Sequence, residues 1–325
     1  MDKSKTKAPN VKVMAKLIWL LTIWGLVVAI LSLMTSSDGS WDAGGGELWK
    51  ALRLPRLILG LIVGGSLALA GLILQSIFRN PLAEPYVMGI SSGASLGTVI
   101  WILFISSTIS IPFGVEMAGA CGGASAAILV IQIGKYCGLT SSPVFVLIGI
   151  AVGAGFHAIS AFFLIQADPV KIRDVMVWLM GSLAYKSWIN VWMTLPVLSI
   201  STIISLKWSR GLDLLLLGDE QAHYLGLDVK KTHLLFITLA VVMAGTATAA
   251  VGIVGFVGLI APNMIRLNLK TNHSRLIPLT LISGALLVAT ADLMTRYIAP
   301  NREIPIGIIT SAVGCFFFVL LLKRR

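Results

Sequence analysis

Only a few side chains in this sequence could do chemistry, and they are widely separated. Asp292 and Arg296 are four residues apart, so they share one face of a helix and can form an ion pair. His157 stands in a long apolar run, where an ionisable side chain indicates either a proton relay or a neutral imidazole bonded to a neighbouring helix. We favour the neutral imidazole, because no Asp, Glu or Lys accompanies His157 in that run.

The sequence also lacks the motifs of common catalytic sites. The nearest approach to a nucleotide-binding P-loop, GKY at Gly134–Tyr136, has no Ser or Thr to hold magnesium. Neither H-E-x-x-H nor G-x-S-x-G occurs. Cys121, Cys137 and Cys315 are too far apart to indicate a disulfide framework or a metal site. We therefore predict no catalytic residue, no metal site and no cofactor.

The overall composition places these residues in a membrane. Of the 325 residues, 57% are apolar and 12% are charged, and the mean hydropathy is +0.91. Soluble domains carry about 25% charged residues. The net charge of +11 does not indicate nucleic-acid binding, because the basic residues are scattered between apolar runs. We predict an all-α, polytopic membrane protein with a single domain over residues 1–325.

The apolar residues fall into segments long enough to cross a membrane, which takes about 20 residues each. Eight segments qualify, at Val13–Met34, Leu57–Phe78, Tyr86–Ile109, Met117–Ile133, Pro143–Ile165, Trp188–Leu206, Leu276–Ile298 and Ile304–Leu322. The first resembles a signal peptide, but it is longer than the apolar core of one, so we predict a retained span. A further stretch, Leu234–Ile265, is uncharged for 32 residues. Its glycines and Pro262 predict a turn and a second helix that is either short or broken.

The distribution of Lys and Arg decides between one and two crossings for Leu234–Ile265. Cytoplasmic loops of membrane proteins are enriched in these residues. With two crossings, and so ten spans, 17 of the 25 basic residues lie on the side of both termini. With one crossing the split is 13 to 12. We therefore predict ten transmembrane helices, with both termini, the tail 1–12 and the loop 207–233 in the cytoplasm.

The segment from Phe78 to Val99 interrupts the apolar pattern with two prolines, Glu84 and three glycines. Its prolines are expected to stop one helix and to set the start of the next. The small residues that follow allow span 3 to approach its neighbours closely, since helices in lipid associate through tight packing. A similar order of small residues, an apolar stretch, a proline and an arginine recurs in the second half of the sequence and ends at Arg266. Such an internal repeat is typical of transporters with duplicated halves.

The loop 207–233 contains a pattern that is typical of a short docking helix. Asp219 and Glu220 suit a helix start, and Gly226 suits a stop. Such a helix, with its apolar residues, either docks in a groove of a partner protein or lies on the membrane surface. The spacing of the residues does not separate these two interpretations.

Several arginines on the predicted outer side run against the usual bias of positive charge toward the cytoplasm. Arg53 and Arg56 precede span 2, and Arg296 and Arg302 lie at the exit of span 9. Outward-facing arginines indicate either an acidic partner outside the membrane or long side chains that snorkel at helix ends.

In five motifs the sequence resembles the FecCD-type permeases of ATP-binding cassette (ABC) importers for ferric siderophores, haem and cobalamin. The motifs are RLPR (Arg53–Arg56), NPLAEPYVMGISSGA (Asn80–Ala94), LGDEQAHYLGL (Leu217–Leu227), GFVGLIAPNMIRL (Gly255–Leu267) and EIPIGIITSAVG (Glu303–Gly314). They span nearly the whole chain in order. The resemblance implies a type II ABC importer permease fold with ten transmembrane helices in a bacterial cell membrane.

By this resemblance the chain is a transport subunit and not an enzyme, and it works with three protein partners in the membrane lipid. A cytoplasmic ATP-binding cassette ATPase would bind the coupling helix, whose residues are Leu217, Gly218, Asp219, Glu220, Gln221, Ala222, His223, Tyr224, Leu225 and Gly226. An extracytoplasmic substrate-binding protein would dock on Arg53, Arg56 and Arg296. A second permease subunit, either a second copy or a paralogue, would complete the central path.

The resemblance also places the path along spans 5 and 10, with an inner gate at Ser141 and Ser142. Pro143 departs there from the cobalamin permease pattern. The segment 168–188 resembles a short outer helix that lines the vestibule of the path.

A ferric siderophore is the predicted substrate, with haem, cobalamin or an oxyanion as alternatives. An ion-coupled secondary transporter would need paired acidic residues near the midplane, and the spans offer almost none. A scaffold subunit with no path is the remaining alternative.

Overall fold

The computed structural model describes residues 11–35, 49–106, 111, 113–136, 142–184, 186–269, 271–298 and 304–323. Helices dominate this part of the chain, which confirms the predicted all-α fold. They are α1 (Val11–Met34), α2 (Leu54–Ile77), α3 (Ile90–Ile100), α4 (Gly114–Tyr136), α5 (Ser142–Ile165), α6 (Pro169–Leu179), α7 (Trp188–Lys207), α8 (Ser209–Leu215), α9 (Asp219–Tyr224), α10 (Val229–Val251), α11 (Val257–Asn268), α12 (His273–Ile298) and α13 (Ile306–Lys323). π-Helical segments at Trp49–Arg53 and Trp101–Ile105 extend α2 and α3.

Among the described residues, seven helices are long and apolar enough to cross a membrane, namely α1, α2, α4, α5, α7, α10 and α12. Two apolar helices, Ile90–Ile105 and Ile306–Leu321, are shorter. The uncharged stretch Leu234–Ile265 forms the two helices α10 and α11, as its glycines predicted. With 12 residues, α11 rises only about 18 Å, and the non-helical residues 252–256 before it add to its reach.

The centre of the bundle is α2, which packs against α7, α10, α11 and α12. Almost all of its residues are buried. Because no hydrophobic driving force acts between helices in lipid, such helices associate through close backbone contact. A Cβ atom at Gly71 would lie 2.0 Å from the carbonyl oxygen of Gly258 in α11, and one at Gly64 would lie 2.2 Å from that of Gly284 in α12. Both helix crossings therefore require glycine.

The two halves of the bundle repeat one packing pattern. The helices α3, α4 and α5 pack on one another in the first half, as α11, α12 and α13 do in the second. This arrangement agrees with the duplicated halves that the recurring small-residue runs indicated.

The segment 78–89, which interrupts the apolar pattern, folds back into the bundle. The carbonyl oxygen of Pro81 accepts a hydrogen bond from Nδ2 of Asn263 in α11 at 2.8 Å. At its end Gly89, with a φ of 74° that favours glycine, lies beside Gly153 of α5. Gly153 is eleven residues from the start of α5, so α3 begins roughly 16 Å inside the bundle.

A second non-helical segment, residues 252–256, contacts the segment 78–89. The backbone N–H of Val254 donates to Oη of Tyr86 at 2.9 Å. Phe256 then starts α11 from a left-handed conformation with a φ of 66°. Non-helical backbone is tolerated at this depth because it is buried in protein rather than in lipid.

The two ends of the bundle carry different short helices. We call the end with α8 and α9 the α9 end, and the opposite end, with α6, the α6 end. The 20-residue helix α7 separates them.

Candidate functional site

The first candidate site is the exposed surface of α9. The helix starts at Asp219, after Gly218 with a φ of 114°, and Gly226 with a φ of 88° follows its end. The predicted start and stop are therefore confirmed. Tyr224 is 85% exposed and Leu225 is 61% exposed, so an apolar surface projects from the α9 end.

The helix α9 is attached to the rest of the chain by one buried side chain and by longer-range contacts with two basic side chains. Ala222 is fully buried. A carboxylate oxygen of Asp219 lies 3.6 Å from Nη2 of Arg79 and 3.8 Å from Nε2 of His233. Both distances exceed a normal hydrogen bond. An open groove of about 780 Å³, lined by residues that include Glu220, runs between α9 and the start of α10.

The preceding helix α8 is held more firmly, through Asp213. Its Oδ1 lies 2.6 Å from Nδ1 of His273 and accepts a hydrogen bond from the backbone N–H of His273 at 3.0 Å. Partial burial alone would raise the pKa of Asp213, but the hydrogen bonds and the charge of His273 lower it below its ordinary value.

The second candidate site is a cluster of arginines at the α6 end. Arg56 Nε and Nη2 donate to Oδ1 of Asp292 at 3.0 and 2.8 Å. Arg296 binds the other carboxylate oxygen of Asp292, so the predicted ion pair on one helix face is confirmed. Arg296 also donates to the carbonyl oxygens of Ser32 and Thr35 in and after α1, at 3.0 and 3.1 Å. The cluster therefore joins α1, α2 and α12.

The three arginines predicted to face a carrier protein differ in exposure. The side chain of Arg296 is only 2% exposed and that of Arg56 is 15% exposed, and both bind groups of this chain. Their contacts in this conformation are thus internal, which differs from the predicted outward orientation. Arg53 is partly exposed, and it donates to the carbonyl oxygen of Leu33 at 3.1 Å.

The other predicted residues lie on or next to α5. Ser141 and the side chain of Ser142, the predicted gate, lie outside the described residues, although α5 begins at Ser142. His157 lies on an exposed face of α5. Within the described part of the chain its ring forms no hydrogen bond, which differs from the predicted bond to a neighbouring helix.

Sequence reasoning missed the hydrogen-bonded polar groups at the α9 end, of which Gln75, Ser76 and His273 are buried and Asp213 and Arg266 are partly buried. One sign was available, because Asp213 stands in the apolar run LDLLLL, where a carboxylate needs a partner. Among the described residues, no group of three or more His, Cys, Asp or Glu is arranged to hold a metal ion.

The fold of the chain matches solved transporters. It superposes with a TM-score of 0.85 and 29% identity on a metal-chelate type ABC transporter in an inward-facing conformation, covering 96% of this chain and all of that one. PsaBC from Streptococcus pneumoniae has the same fold, with a TM-score of 0.55 at 17% identity over 82% of this chain and 90% of that one. The class is therefore an ABC importer permease, which confirms the predicted fold.

Sequence comparison gives the family. The model of the FecCD transport family matches residues 14–324. The cobalamin import permease BtuC of Halobacterium salinarum is 38% identical, covering 84% of this chain and 73% of BtuC. The Fe(3+) dicitrate permease FecD of Escherichia coli is 37% identical (87% and 88% covered), and the hemin permease HmuU of Yersinia pestis is 34% identical (90% and 86% covered). The chain belongs to the FecCD transport family, and it is a transport component rather than a catalytic one.

Proposed function

We propose that the chain forms the membrane path of an importer that carries a metal chelate, with a ferric siderophore as the substrate. The observation that carries this proposal is the match over 96% of the chain to a metal-chelate type transporter. Relatives named for ferric dicitrate, iron(3+)-hydroxamate, hemin and cobalamin support a bulky chelate. Haem and cobalamin are the alternative substrates, and an oxyanion is a more distant one.

The partner ATPase would bind α9 at its exposed apolar surface. Tyr224 and Leu225 suit a groove in a partner protein, because large apolar groups exposed to water gain free energy on burial. The α9 end would then lie in the cytoplasm with both termini, on the side that holds most of the Lys and Arg.

The substrate-binding protein would dock at the α6 end, next to the arginine cluster. Arg53 and Arg56 carry positive charge near this surface and suit acidic side chains of a partner. Arg296 would act from within, by holding α1 against α12 and Asp292 against Arg56.

A second permease subunit would cover exposed faces of α5 and α13. Both helices lie at the edge of the bundle and expose large apolar side chains, such as Leu147 and Phe162 of α5 and Phe316 of α13. A path between two such subunits would run along these helices, with the gate near Ser141 and Ser142.

The experiment is uptake into proteoliposomes that contain the chain, its ATPase and its substrate-binding protein. Ferric hydroxamate, hemin and cobalamin are offered in parallel, with and without ATP. ATP-dependent uptake of ferric hydroxamate is expected. Uptake of one of the other chelates would change the substrate, uptake driven by an ion gradient without ATP would indicate a secondary transporter, and no uptake at all would indicate a scaffold subunit.

A further inference from the structure

A chain of hydrogen bonds runs from α8, next to the coupling helix, into the centre of the bundle. Asp213 of α8 contacts Nδ1 of His273 at 2.6 Å, and Nε2 of the same ring lies 2.7 Å from Oγ of Ser76 in α2. Arg266 of α11 donates to Oγ of Ser76 and to Oε1 of Gln75, each at 3.0 Å. Four elements of the chain, α8, α12, α2 and α11, are thus bonded in sequence.

At its other end, this hydrogen-bond network reaches the crossing of α2 and α11. Nε2 of Gln75 donates at 2.9 Å to the carbonyl oxygen of Gly258. The same carbonyl lies against Gly71, where the two backbones touch. His273, Ser76 and Gln75 are at most 1% exposed. Water therefore does not replace a bond that is lost here, and the loss is costly.

Two oppositely charged side chains, Asp213 and Arg266, take part in this hydrogen-bond network. Oγ of Ser76 accepts a hydrogen bond from Arg266, and it lies 2.7 Å both from the carbonyl oxygen of Leu72 and from Nε2 of His273. A carboxylate only accepts, so Nδ1 of His273 carries a proton toward Asp213. Because the acceptor is an ionised carboxylate, the contact between His273 and Asp213 is a charge-assisted hydrogen bond, which is stronger than a neutral one.

The contacts of α9 itself are weaker than this link. Asp219 lies 3.6 to 3.8 Å from its two basic neighbours, whereas Asp213 lies 2.6 Å from the ring of His273. Only residues 216–218 separate α8 from α9. A force applied to α9 therefore meets little resistance at Asp219 and reaches the bundle through the firmer contact of Asp213.

We propose that Asp213 and His273 are positioning residues that transmit movement of α9 to the crossing of α2 and α11, through Ser76 and Arg266. This inference rests on the proposed function, in which an ATPase moves α9. It assigns the conversion of ATP hydrolysis into transport to a specific set of side chains. A link of this kind governs how much substrate passes for each ATP, and not whether the ATPase binds or turns over.

The test measures uptake per ATP hydrolysed in the complete complex, with the chelate that the wild-type chain imports. Asp213→Ala removes the acceptor, and Asp213→Asn retains an oxygen that can accept from His273. His273→Asn keeps a donor near the position of Nδ1 but does not reach Ser76, and His273→Gln keeps one near Nε2 but does not reach Asp213. Asp228→Asn is the matched control, since this exposed carboxylate lies in the same loop, caps α10 and pairs only with Lys231 among the described residues.

We expect Asp213→Ala and both His273 variants to lower uptake per ATP about fivefold or more, the lower range of measured couplings between sites. Asp213→Asn should lie between them and the wild type, and Asp228→Asn should match the wild type. All variants should retain the bound ATPase and its basal rate of hydrolysis. Asp213→Asn distinguishes loss of the hydrogen bond to His273 from a general structural defect, because a partial recovery of uptake per ATP requires the acceptor oxygen.

A wild-type ratio in His273→Asn would overturn the proposal, because anchoring α8 would then suffice without Ser76. If Asp213→Ala does not assemble with the ATPase, the two His273 variants decide: a lowered ratio in both supports the link, and an unchanged ratio in either rejects it. A wild-type complex that imports none of the chelates would contradict the proposed function instead. The variants would then be scored by how far the binding protein stimulates ATP hydrolysis above the basal rate, and a smaller stimulation at an unchanged basal rate is expected.

Discussion

At the scale of single residues, Asp292 has the largest structural role at the α6 end. It pairs with both Arg56 and Arg296 in a place where little water reaches any of the three side chains. The pair with Arg296 could be predicted, because the two residues are one helical turn apart. The contact with Arg56 spans 236 positions of sequence, and no spacing rule reaches across that distance.

Asp292→Ala should strongly destabilise the chain, because it leaves the buried guanidinium of Arg296 and the partly buried one of Arg56 without their carboxylate. Breaking a buried ion pair costs about 3–5 kcal/mol. Thermal unfolding of the purified chain in detergent measures the effect. Asp174→Asn, a change of an exposed carboxylate in α6, is the control and should leave the midpoint unchanged. Equal midpoints for Asp292→Ala and the wild type would contradict this role.

The glycine crossing of α2 and α11 gives a second prediction at this scale. In Gly71→Ala the new methyl group would lie 2.0 Å from the backbone oxygen of Gly258, so the crossing must open. Overpacking of this kind costs about 1–3 kcal/mol or more.

Gly245→Ala is the matched control for Gly71→Ala, because nothing lies within 4 Å of its new Cβ atom. Alanine favours a helix over glycine by up to about 1 kcal/mol, so this variant should be as stable as the wild type or more so. Thermal unfolding in detergent compares the two, and similar midpoints for both variants would refute the close contact.

At the scale of elements, α9 is too short to be stable alone. Isolated helices of fewer than about 12 residues are marginal in water, and α9 has six. Its start and stop could be predicted from Asp219 and Gly226, since capping is local chemistry. Its attachment through the burial of Ala222 depends on other elements and could not be predicted.

The exposed side chains of Tyr224 and Leu225 allow a prediction for α9. Tyr224→Ala combined with Leu225→Ala should weaken ATPase binding at least about tenfold, because anchors of this kind contribute roughly 1.4 kcal/mol or more. Sedimentation or light scattering of the mixed proteins in detergent measures the affinity. Met176→Ala, on the exposed surface of α6, should leave it unchanged. Unaltered affinity in the double variant would place the ATPase elsewhere.

The break at 78–89 shows where prediction from sequence ends. Its prolines correctly separated two helices. That the segment folds back could not be predicted, because its depth is set by Asn263 and Gly153, which lie on distant helices. Local rules thus find where a helix stops, whereas long-range contacts decide where the chain goes next.

At the scale of the whole molecule, the ten-helix fold could be predicted because span length and charge bias are properties of the bilayer and not of particular contacts. The side of the membrane at each end remains a prediction, and labelling tests it. Lys231→Cys at the α9 end and Arg173→Cys at the α6 end, both at exposed positions, should react with an impermeant maleimide from opposite sides of the membrane.

The labelling background is a chain in which the native Cys121, Cys137 and Cys315 are replaced by alanine. In intact cells only Arg173→Cys should react, and in inside-out vesicles only Lys231→Cys should react. Reaction of both positions from one side would reject the ten-span topology.

The hydrogen bond from Arg296 to the carbonyl oxygen of Ser32 has a consequence for biogenesis. It joins residues 264 positions apart, so the partner of Ser32 emerges from the ribosome long after α1 has been made. At about 5–20 residues per second, this delay is on the order of 10–50 s. During that time the end of α1 lacks its hydrogen bond from Arg296. The nascent chain therefore depends on lipid or on the insertion machinery until α12 has been made.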